Sequence, residues 1–264
     1  MSFDFLTIEK HLGYAIVTID RGDGINALSR KLMRELVTVA EGFVDDLETT
    51  AIILRGTNTI FSAGADLKDP EGNTNKGGAL IARRHALKIG PDMCDAWERL
   101  EQITICAVEG FCIGGGSALA MACDWRIAGE SAHMRLPEVP LAMNMSWHSV
   151  PRIVRAVGPS KAKLYTILGE KLGAAEALEW GMIDFMTEDG KALDKAIELA
   201  EKVAALPPIS VRMSKESINM TANALNQATT FMDRDQFMLS SSSTDFPEAV
   251  DAFLNKRDPK FTGG

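Results

Sequence analysis

Two glycine-containing segments of this sequence could place bare backbone amides against a ligand. In FSAGADL, residues 61–67, Gly64 allows a sharp turn that leaves the amides of Ala65 and Asp66 free. In GFCIGGGSALA, residues 110–120, a predicted strand ends in three glycines and a helix begins, so that unpaired N–H groups lie at the positive end of the helix dipole. Such amides can bind an anion or an oxygen that becomes negative during a reaction. Close strand–helix packing alone would also explain the triplet.

Composition narrows the possible functions. The 264 residues are 46% hydrophobic and 24% charged, which is typical of one large globular domain, with or without an extension. The net charge of −8 and the few aromatic residues disfavour nucleic-acid binding. The triplet lacks the GxGxxG spacing of a dinucleotide site and does not follow the first strand.

The cysteines and the apolar runs indicate the compartment. The four cysteines form no CxxC pair and have no histidine at metal-ligand spacing, so we expect reduced thiols and no metal site. The N-terminus has no signal-peptide pattern, and no apolar run reaches the roughly 18–20 residues of a membrane span. We therefore expect a cytoplasmic protein that does not bind a membrane.

Alternating strand and helix patterns in the first two thirds of the chain predict an α/β fold, and the last quarter is mostly helical. Ser29 is a natural N-cap for a helix up to residue 46, and residues 58–78 form a long polar loop. A helix over 79–100 has a possible break at Gly90-Pro91. The predicted strands are 3–9 and 14–20 (a hairpin), 51–54, 103–108, 125–128, 132–136 and one near 182–186; Pro207-Pro208 separates two helices, and two more helices cover 209–238.

Several motifs together resemble one family. They are Asn26-Ala27-Leu28, FSAGADL at 61–67, GFCIGGGSALAMACD at 110–124, Leu136-Pro137-Glu138-Val139, and AVG at 156–158 followed by a helix. Their order and spacing are similar to the crotonase (enoyl-CoA hydratase/isomerase) family, from about residue 5 to residue 261. The resemblance implies an α/β fold that is a right-handed spiral of ββα repeats over residues 1–195. It also implies a helical trimerisation region over 196–264 and a homotrimer or dimer of trimers.

The resemblance further implies an acyl-CoA substrate, with CoA as part of the substrate and no separate cofactor. By position, the amides of Ala65 and Gly115 form the oxyanion hole for the thioester carbonyl, and Glu138 is the catalytic acid/base. The apolar neighbours Met134, Leu136 and Val139 should desolvate Glu138 and raise its pKa.

Further residues are expected to contact the substrate. Phe253 and Lys256 correspond to a phenylalanine and a lysine that hold the adenine and a phosphate of a neighbouring subunit's CoA, although an amphipathic terminal helix with a solvated lysine would give the same pattern. The substrate-binding set is Ala27, Ala63, Asp66, Leu67, Gly114, Ala118, Ser146, His148, Phe253 and Lys256.

One position departs from the standard hydratase pattern. Hydratases of this family carry two glutamates, and the first of them is Ala118 here. Members with only the second glutamate include Δ3-Δ2-enoyl-CoA isomerases and hydroxycinnamoyl-CoA hydratase-lyases. The leading hypothesis is therefore an enoyl-CoA isomerase or atypical hydratase. The alternatives are a hydratase-lyase or C–C hydrolase for a bulky acyl-CoA, and a non-catalytic crotonase-like binding protein.

Other polar groups could fill the position that Ala118 leaves. Ser146 occupies the place of an aspartate in dienoyl-CoA isomerases and in a chlorobenzoyl-CoA dehalogenase, so neither of those chemistries is favoured. His148 is either an acid/base group or the first-turn residue of a helix, and the segment 143–148 should shape the acyl pocket. His85 is a weaker candidate near the same pocket.

Overall fold

A mostly parallel sheet forms the centre of the molecule, whose computed structural model describes residues 3–71 and 78–264. Its strand order is β1-β2-β3-β4-β6-β9, and β5-β7-β8 form a second, smaller sheet. The strands are β1 Leu6–Lys10, β2 Tyr14–Ile19, β3 Ala51–Arg55, β4 Ile103–Val108, β5 Phe111–Ile113, β6 Trp125–Gly129, β7 His133–Arg135, β8 Leu172–Gly173 and β9 Phe185–Thr187. The α-helices are α1 Arg30–Val44, α2 Leu80–Ala86, α3 Ile89–Glu98, α4 Gly115–Ala122, α5 Ser149–Lys163, α6 Ala174–Trp180, α7 Ala192–Ala204, α8 Pro208–Ala222, α9 Asn226–Thr230, α10 Asp233–Ser241 and α11 Asp245–Leu254.

The predicted hairpin and first helix are confirmed. Strands β1 and β2 pair antiparallel with Leu6 opposite Ile19. Ser29 caps α1, since its hydroxyl accepts a hydrogen bond from the Leu32 amide at 3.2 Å. From β2 onwards the large sheet is parallel, with Ile53 of β3 beside Ile105 of β4.

Apolar side chains cover both faces of the large sheet. On one face, α1, α3 and α4 contribute to a core that includes Leu36, Trp97 and Leu119. On the other face, Ala196 and Ala200 of α7 have no exposed surface. Small residues four positions apart allow this helix to lie close to the strands. The predicted division at residue 195 falls within α7.

Two helix predictions need correction. The helix predicted over 79–100 is broken between Ala86, the last residue of α2, and Ile89, the first residue of α3. The predicted break at Gly90-Pro91 is therefore wrong, since both residues lie in the first turn of α3. Proline is tolerated there because a first-turn N–H has no partner within the helix. The segment 209–238 contains parts of three helices, α8, α9 and α10, where two were predicted.

Residues 72–77 of the predicted loop 58–78 lie outside the described part of the chain. Strand β9 begins three residues after the predicted 182, and the two-residue strand β8 was not predicted. Within the described residues, no helix has the length and apolar character to cross a bilayer.

The small sheet brings two distant turns together. Strands β5 and β7 are parallel, with Cys112 beside Met134. Since parallel strands end at the same edge, the turn after β5 lies next to the turn after β7. The amide of Gly114 donates to the carbonyl of Arg135 at 2.8 Å. The glycine triplet and the Pro-Glu pair are thereby neighbours.

Candidate active site

The segment around Ser62 lies in extended conformation beside β5. The Ser62 amide donates to the carbonyl of Phe111 at 3.0 Å, and the Ile113 amide donates to the carbonyl of Ser62 at 2.9 Å. The Ser62 hydroxyl donates to the carbonyl of Asn26 at 2.7 Å and accepts from the Gly64 amide at 3.1 Å. Ser62 therefore connects its own motif, FSAGADL, by hydrogen bonds to the motifs that contain Asn26 and the glycine triplet.

The amide of Ala65 is left free by the pairing of its neighbours. Leu28 donates to the carbonyl of Gly64 at 2.7 Å and accepts from the amide of Asp66 at 3.1 Å. These two bonds use the carbonyl before Ala65 and the amide after it, and both point towards Leu28. The amide of Ala65 itself therefore points away from Leu28. It makes no hydrogen bond with the described residues, and Ala65 is exposed.

The amide of Gly115 lies close to the same turn. A Cβ built on Gly64 would be 2.5 Å from the carbonyl oxygen of Ile113 and 3.1 Å from the nitrogen of Gly115. Gly64 also has φ +85°, so a side chain is excluded on both counts. Gly115 begins α4, and its N–H has no acceptor within the helix. The structure thus brings together the two chain segments predicted to form the oxyanion hole.

Glu138 lies in the turn that follows β7, directly beside the glycine triplet. It precedes a 3₁₀ turn over Val139–Leu141, and its carbonyl accepts from the amide of Met143 at 2.8 Å. A Cβ built on Gly114 would be 2.8 Å from Glu138 Oε1, and Gly114 has φ +53°. The carboxyl group is therefore packed against the residue that precedes Gly115.

The carboxyl group of Glu138 is poorly solvated. Its Oε2 is buried without a hydrogen-bond partner, one of three such side-chain atoms in the described part of the chain. Burial raises the pKa of Glu138 to about 7, while its own backbone amide and the charge of Arg135 act in the lowering direction. Met134 and Leu136 are buried as expected. The predicted rise in pKa is confirmed.

Two polar side chains that the sequence analysis did not single out lie nearby. The hydroxyls of Ser117 and Tyr165 are 2.8 Å apart, and both residues are buried. Burial raises the pKa of Tyr165, the hydrogen bond to Ser117 lowers it, and the charge of Glu138 adds to the rise. The pair therefore joins α4 to the helical turn after α5 close to Glu138. In the sequence, the signal for this pair was Ser117, a serine within a mostly apolar helical segment one residue before Ala118.

The remaining positions near the oxyanion segments differ in exposure. Ala27 is buried, Ala63 is half-buried and Leu67 is exposed. Asp66 accepts a hydrogen bond from Arg21 Nη1 at 2.9 Å, and the same nitrogen donates to the carbonyl of Ala27. Arg21 thus links the two loops.

Ala118 has no exposed surface. It lies on α4, one turn after Gly115, so the two residues share a helix face. Its methyl group offers neither a proton nor a hydrogen bond to water. Within the described residues, the structure therefore has one carboxyl group, Glu138, packed against the glycine triplet.

Ser146 and His148 belong to a polar network between α3, α5 and α10. The Ser146 hydroxyl accepts from the Trp147 amide at 2.6 Å, and Ser146 is buried. His148 Nδ1 lies 3.1 Å from both carboxylate oxygens of Asp95, and the His148 amide donates to Asp233 Oδ2 at 3.0 Å. No bond within the described residues connects His148 to Glu138.

The other predicted residues lie at the surface. His85 is exposed in the last turn of α2. Phe253, on α11, is 63% exposed, and Lys256 is exposed with φ +52° just after that helix. Their contact with CoA on a neighbouring subunit stays a prediction.

Comparison with known proteins gives a consistent result over almost the whole chain. The family model described as "Enoyl-CoA hydratase/isomerase" matches residues 9–264. A probable enoyl-CoA hydratase of Rhizobium meliloti (strain 1021) is 32% identical over 264 residues, with 99% of each chain covered. The short-chain-enoyl-CoA hydratase of Clostridium acetobutylicum is 32% identical over 259 residues, with 97% of each chain covered.

Solved structures share the fold. An enoyl-CoA hydratase/isomerase from Pseudoalteromonas atlantica T6c superposes with a TM-score of 0.85 at 29% identity, covering 97% of this chain and 99% of the other. An enoyl-CoA hydratase from Mycobacterium avium subsp. paratuberculosis K-10 has a TM-score of 0.86 at 23% identity, covering 99% of this chain and 100% of the other. The predicted α/β fold class is thus confirmed. The chain is a member of the enoyl-CoA hydratase/isomerase family of acyl-CoA enzymes.

Proposed function

We propose that this enzyme moves the double bond of a 3-enoyl-CoA to the 2-position, with Glu138 as its single acid/base. The amides of Ala65 and Gly115 would hold the thioester oxygen. The observation that carries the proposal is the one desolvated carboxyl group beside Gly114, combined with an alanine at position 118. One carboxylate suffices to move a proton between two carbons of the same substrate.

The proposed reaction has two proton transfers. The Glu138 carboxylate removes a proton from C2, and the electron pair of that C–H bond forms the C1–C2 double bond of an enolate. The enolate oxygen accepts hydrogen bonds from the amides of Ala65 and Gly115. Glu138 then returns the proton to C4: the C3–C4 π electrons form the new C–H bond, and a C2–C3 double bond forms as the carbonyl is restored.

The electrostatics of the site support this assignment. A base with a pKa of about 7 is half ionised at neutral pH and can both accept and return a proton. Loss of one oxyanion donor typically costs about 10²–10³ in rate, and loss of a general base about 10²–10⁴. If the proposed function is correct, removing Glu138 and removing either amide should each cause a large loss of rate, and the two losses can be measured separately.

Hydration is the competing function, and the names of the relatives favour it. The Clostridium protein and a 28% identical 2,3-dehydroadipyl-CoA hydratase of Escherichia coli (strain K12) are both called hydratases. Adding water to a 2-enoyl-CoA requires a group that orients the water and another that gives a proton. Ala118 cannot supply the first, so hydration would need a different side chain.

The test measures both reactions on one preparation. The purified protein is incubated in deuterated buffer with a 3-enoyl-CoA and, separately, with crotonyl-CoA, and products are identified by mass and retention time. We expect faster isomerisation than hydration, with some deuterium at C2 or C4. Crotonyl-CoA hydration that exceeds isomerisation would overturn the proposal, and cleavage products from a bulky acyl-CoA would support the hydratase-lyase or C–C hydrolase alternative.

The role of Glu138 is tested with a matched pair of variants. Glu138→Gln keeps the shape of the side chain and should lower kcat by about 10²–10⁴ with little change in acyl-CoA affinity. Glu179→Gln makes the same change on an exposed residue and should leave both unchanged. Full activity of folded Glu138→Gln would refute the assignment.

We also propose that the enzyme works as a trimer or dimer of trimers in the cytoplasm. The C-terminal helices α8–α11 carry large apolar side chains that are exposed in the single chain, which supports assembly through this region. They include Ile209, Met213, Ile218, Met220, Leu239, Phe253 and Leu254. All four cysteines are free and buried, which is compatible with a reducing compartment.

A further inference from the structure

An unusual turn precedes α5. Trp147 has φ +65° and His148 has φ +56°, the left-handed region that glycine favours. Such a conformation is unfavourable for a non-glycine residue, because its Cβ comes too close to a carbonyl oxygen. Two consecutive residues persist in it only if their surroundings hold them there.

Polar side chains from three helices hold this turn. Arg152 of α5, buried to 98%, donates from Nη1 to the carbonyls of Trp147 and His148 at 3.2 and 3.1 Å. Its Nη2 binds Asp95 and Glu98 of α3 at 2.9 and 2.7 Å.

On the other side of the turn, Asp233 of α10 accepts from the amide of His148 at 3.0 Å. Burial raises the pKa of Asp233, and the amides of His148 and Trp147 with the Ser146 hydroxyl oppose that rise. The peptide groups of residues 147 and 148 are therefore held at both their carbonyl and amide ends.

The turn directs the indole of Trp147 between two glycines. A Cβ built on Gly115 would lie 2.2 and 2.4 Å from Cζ3 and Cη2 of the ring. A Cβ built on Gly90 of α3 would lie 2.3 Å from both Cε2 and Nε1. The ring therefore spans the gap between α3 and α4 and lies flush against the backbone at both ends. Neither glycine can be replaced without displacing it.

The indole thus borders the proposed oxyanion hole. Gly115 supplies one of its amides, and the adjacent Gly114 contacts the carboxyl group of Glu138. Ala118, on the same face of α4 as Gly115, is fully covered. A second carboxylate at position 118, with the water that it would orient, would need space on this face.

We propose that the Trp147 indole is a specificity-determining wall that keeps water away from the β-carbon of the bound enoyl thioester. This inference depends on the proposed function, since a wall against water matters for an enzyme that transfers protons and does not hydrate. Trp147 acts by occupying space beside Gly115. The polar network of Arg152 and Asp233 positions it.

The experiment compares the wild type with Trp147→Ala, Ala118→Glu and the double variant. For each, kcat/KM is measured for isomerisation of a 3-enoyl-CoA and for hydration of crotonyl-CoA on the same preparation. The ratio of the two values cancels any difference in folded fraction. We expect hydration relative to isomerisation to rise at least tenfold in Trp147→Ala and further in the double variant. Ala118→Glu alone should gain little, because the indole beside Gly115 would still exclude water from the site.

The outcomes separate this inference from the proposed function. If the wild type isomerises but Trp147→Ala leaves the ratio within twofold of wild type, the wall is refuted and the proposed function stands. If the wild type already favours hydration, both are refuted. A gain of hydration by Ala118→Glu alone as large as in the double variant also refutes the wall. Should Trp147→Ala not fold, Trp147→Leu gives the same test with a smaller gap.

Discussion

Replacing Glu138 with glutamine should stabilise the protein at alkaline pH and not at acidic pH. A glutamate ionises near pH 4.5 in the unfolded chain, whereas burial raises the pKa of Glu138 to about 7 in the folded protein. Between these values the folded state binds a proton that the unfolded state has released. The contribution of Glu138 to stability is therefore fully present below pH 4.5 and is lost as the pH rises to about 7.

The difference between the two pKa values gives the size of the effect. It corresponds to about 3 kcal/mol in the free energy of unfolding above pH 8, and to about 1 kcal/mol at pH 5. Glutamine has the same shape and no charge, so the Glu138→Gln variant does not lose this stability as the pH rises. The stability of Glu138→Gln relative to the wild type should rise by about 2–3 kcal/mol between pH 5 and pH 8.

The assay is urea-induced unfolding followed by circular dichroism at pH 5, 6.5 and 8. It is done at one protein concentration, because the proposed assembly would make stability depend on concentration. Glu179→Gln, on the surface, is the control and should show a difference that does not vary with pH in this way. In parallel, kcat/KM of the wild type should rise with pH and reach half its maximum near pH 7. A pH-independent difference for Glu138→Gln, or a profile centred below pH 5, would show that the Glu138 carboxyl group is not desolvated as described.

Three further predictions concern the Gly115 amide, the Ser117–Tyr165 pair and the oligomeric state. Gly115→Pro removes the amide proposed as an oxyanion donor, at a helix position where proline is tolerated. It is made in the Trp147→Ala background, which provides room for the proline ring, and should lower kcat by about 10²–10³ relative to Trp147→Ala. An unchanged kcat in a folded protein would exclude that amide as a donor. Tyr165→Phe leaves the buried Ser117 hydroxyl without its partner and should lower the free energy of unfolding by about 1–3 kcal/mol, whereas adding Ser117→Ala should recover part of the loss; equal losses in the single and double variants would contradict this reasoning. Light scattering should give the mass of a trimer or hexamer, and a stable monomer that binds acyl-CoA tightly would exclude a cross-subunit role for Phe253.

Local signals in the sequence were sufficient for much of the fold. The hairpin, the cap at Ser29 and the buried strands β3 and β4 depend on neighbouring residues, and all of them are found. The position of the break between α2 and α3 could not be predicted in the same way. Pro91 suggested a break at its own position, but a proline in the first turn of a helix is compatible with that helix and does not break it.

The environment of Glu138 was predictable from the sequence around it, whereas that of Trp147, which depends on distant contacts, was not. The high pKa of Glu138 followed from its apolar neighbours in the sequence. The placement of Trp147 did not, because nothing in its local sequence indicates a left-handed conformation. That conformation depends on Arg152 and on Asp233, which lies 85 residues from the His148 amide that it binds.

Because α10 holds the turn at Trp147 and His148, this turn can form only after α10 has been synthesised. The contact between His148 and Asp233 closes a loop of 85 residues, and the ion pair of Arg84 with Asp235 closes one of 151. Contacts at such separations form late, because the entropy of a long loop must be overcome first. During synthesis, the sheet and the glycine triplet can fold before α10 leaves the ribosome, but the turn that holds Trp147 cannot be completed. Nascent chains stalled before residue 233 should therefore contain a folded sheet but not the left-handed turn at Trp147 and His148.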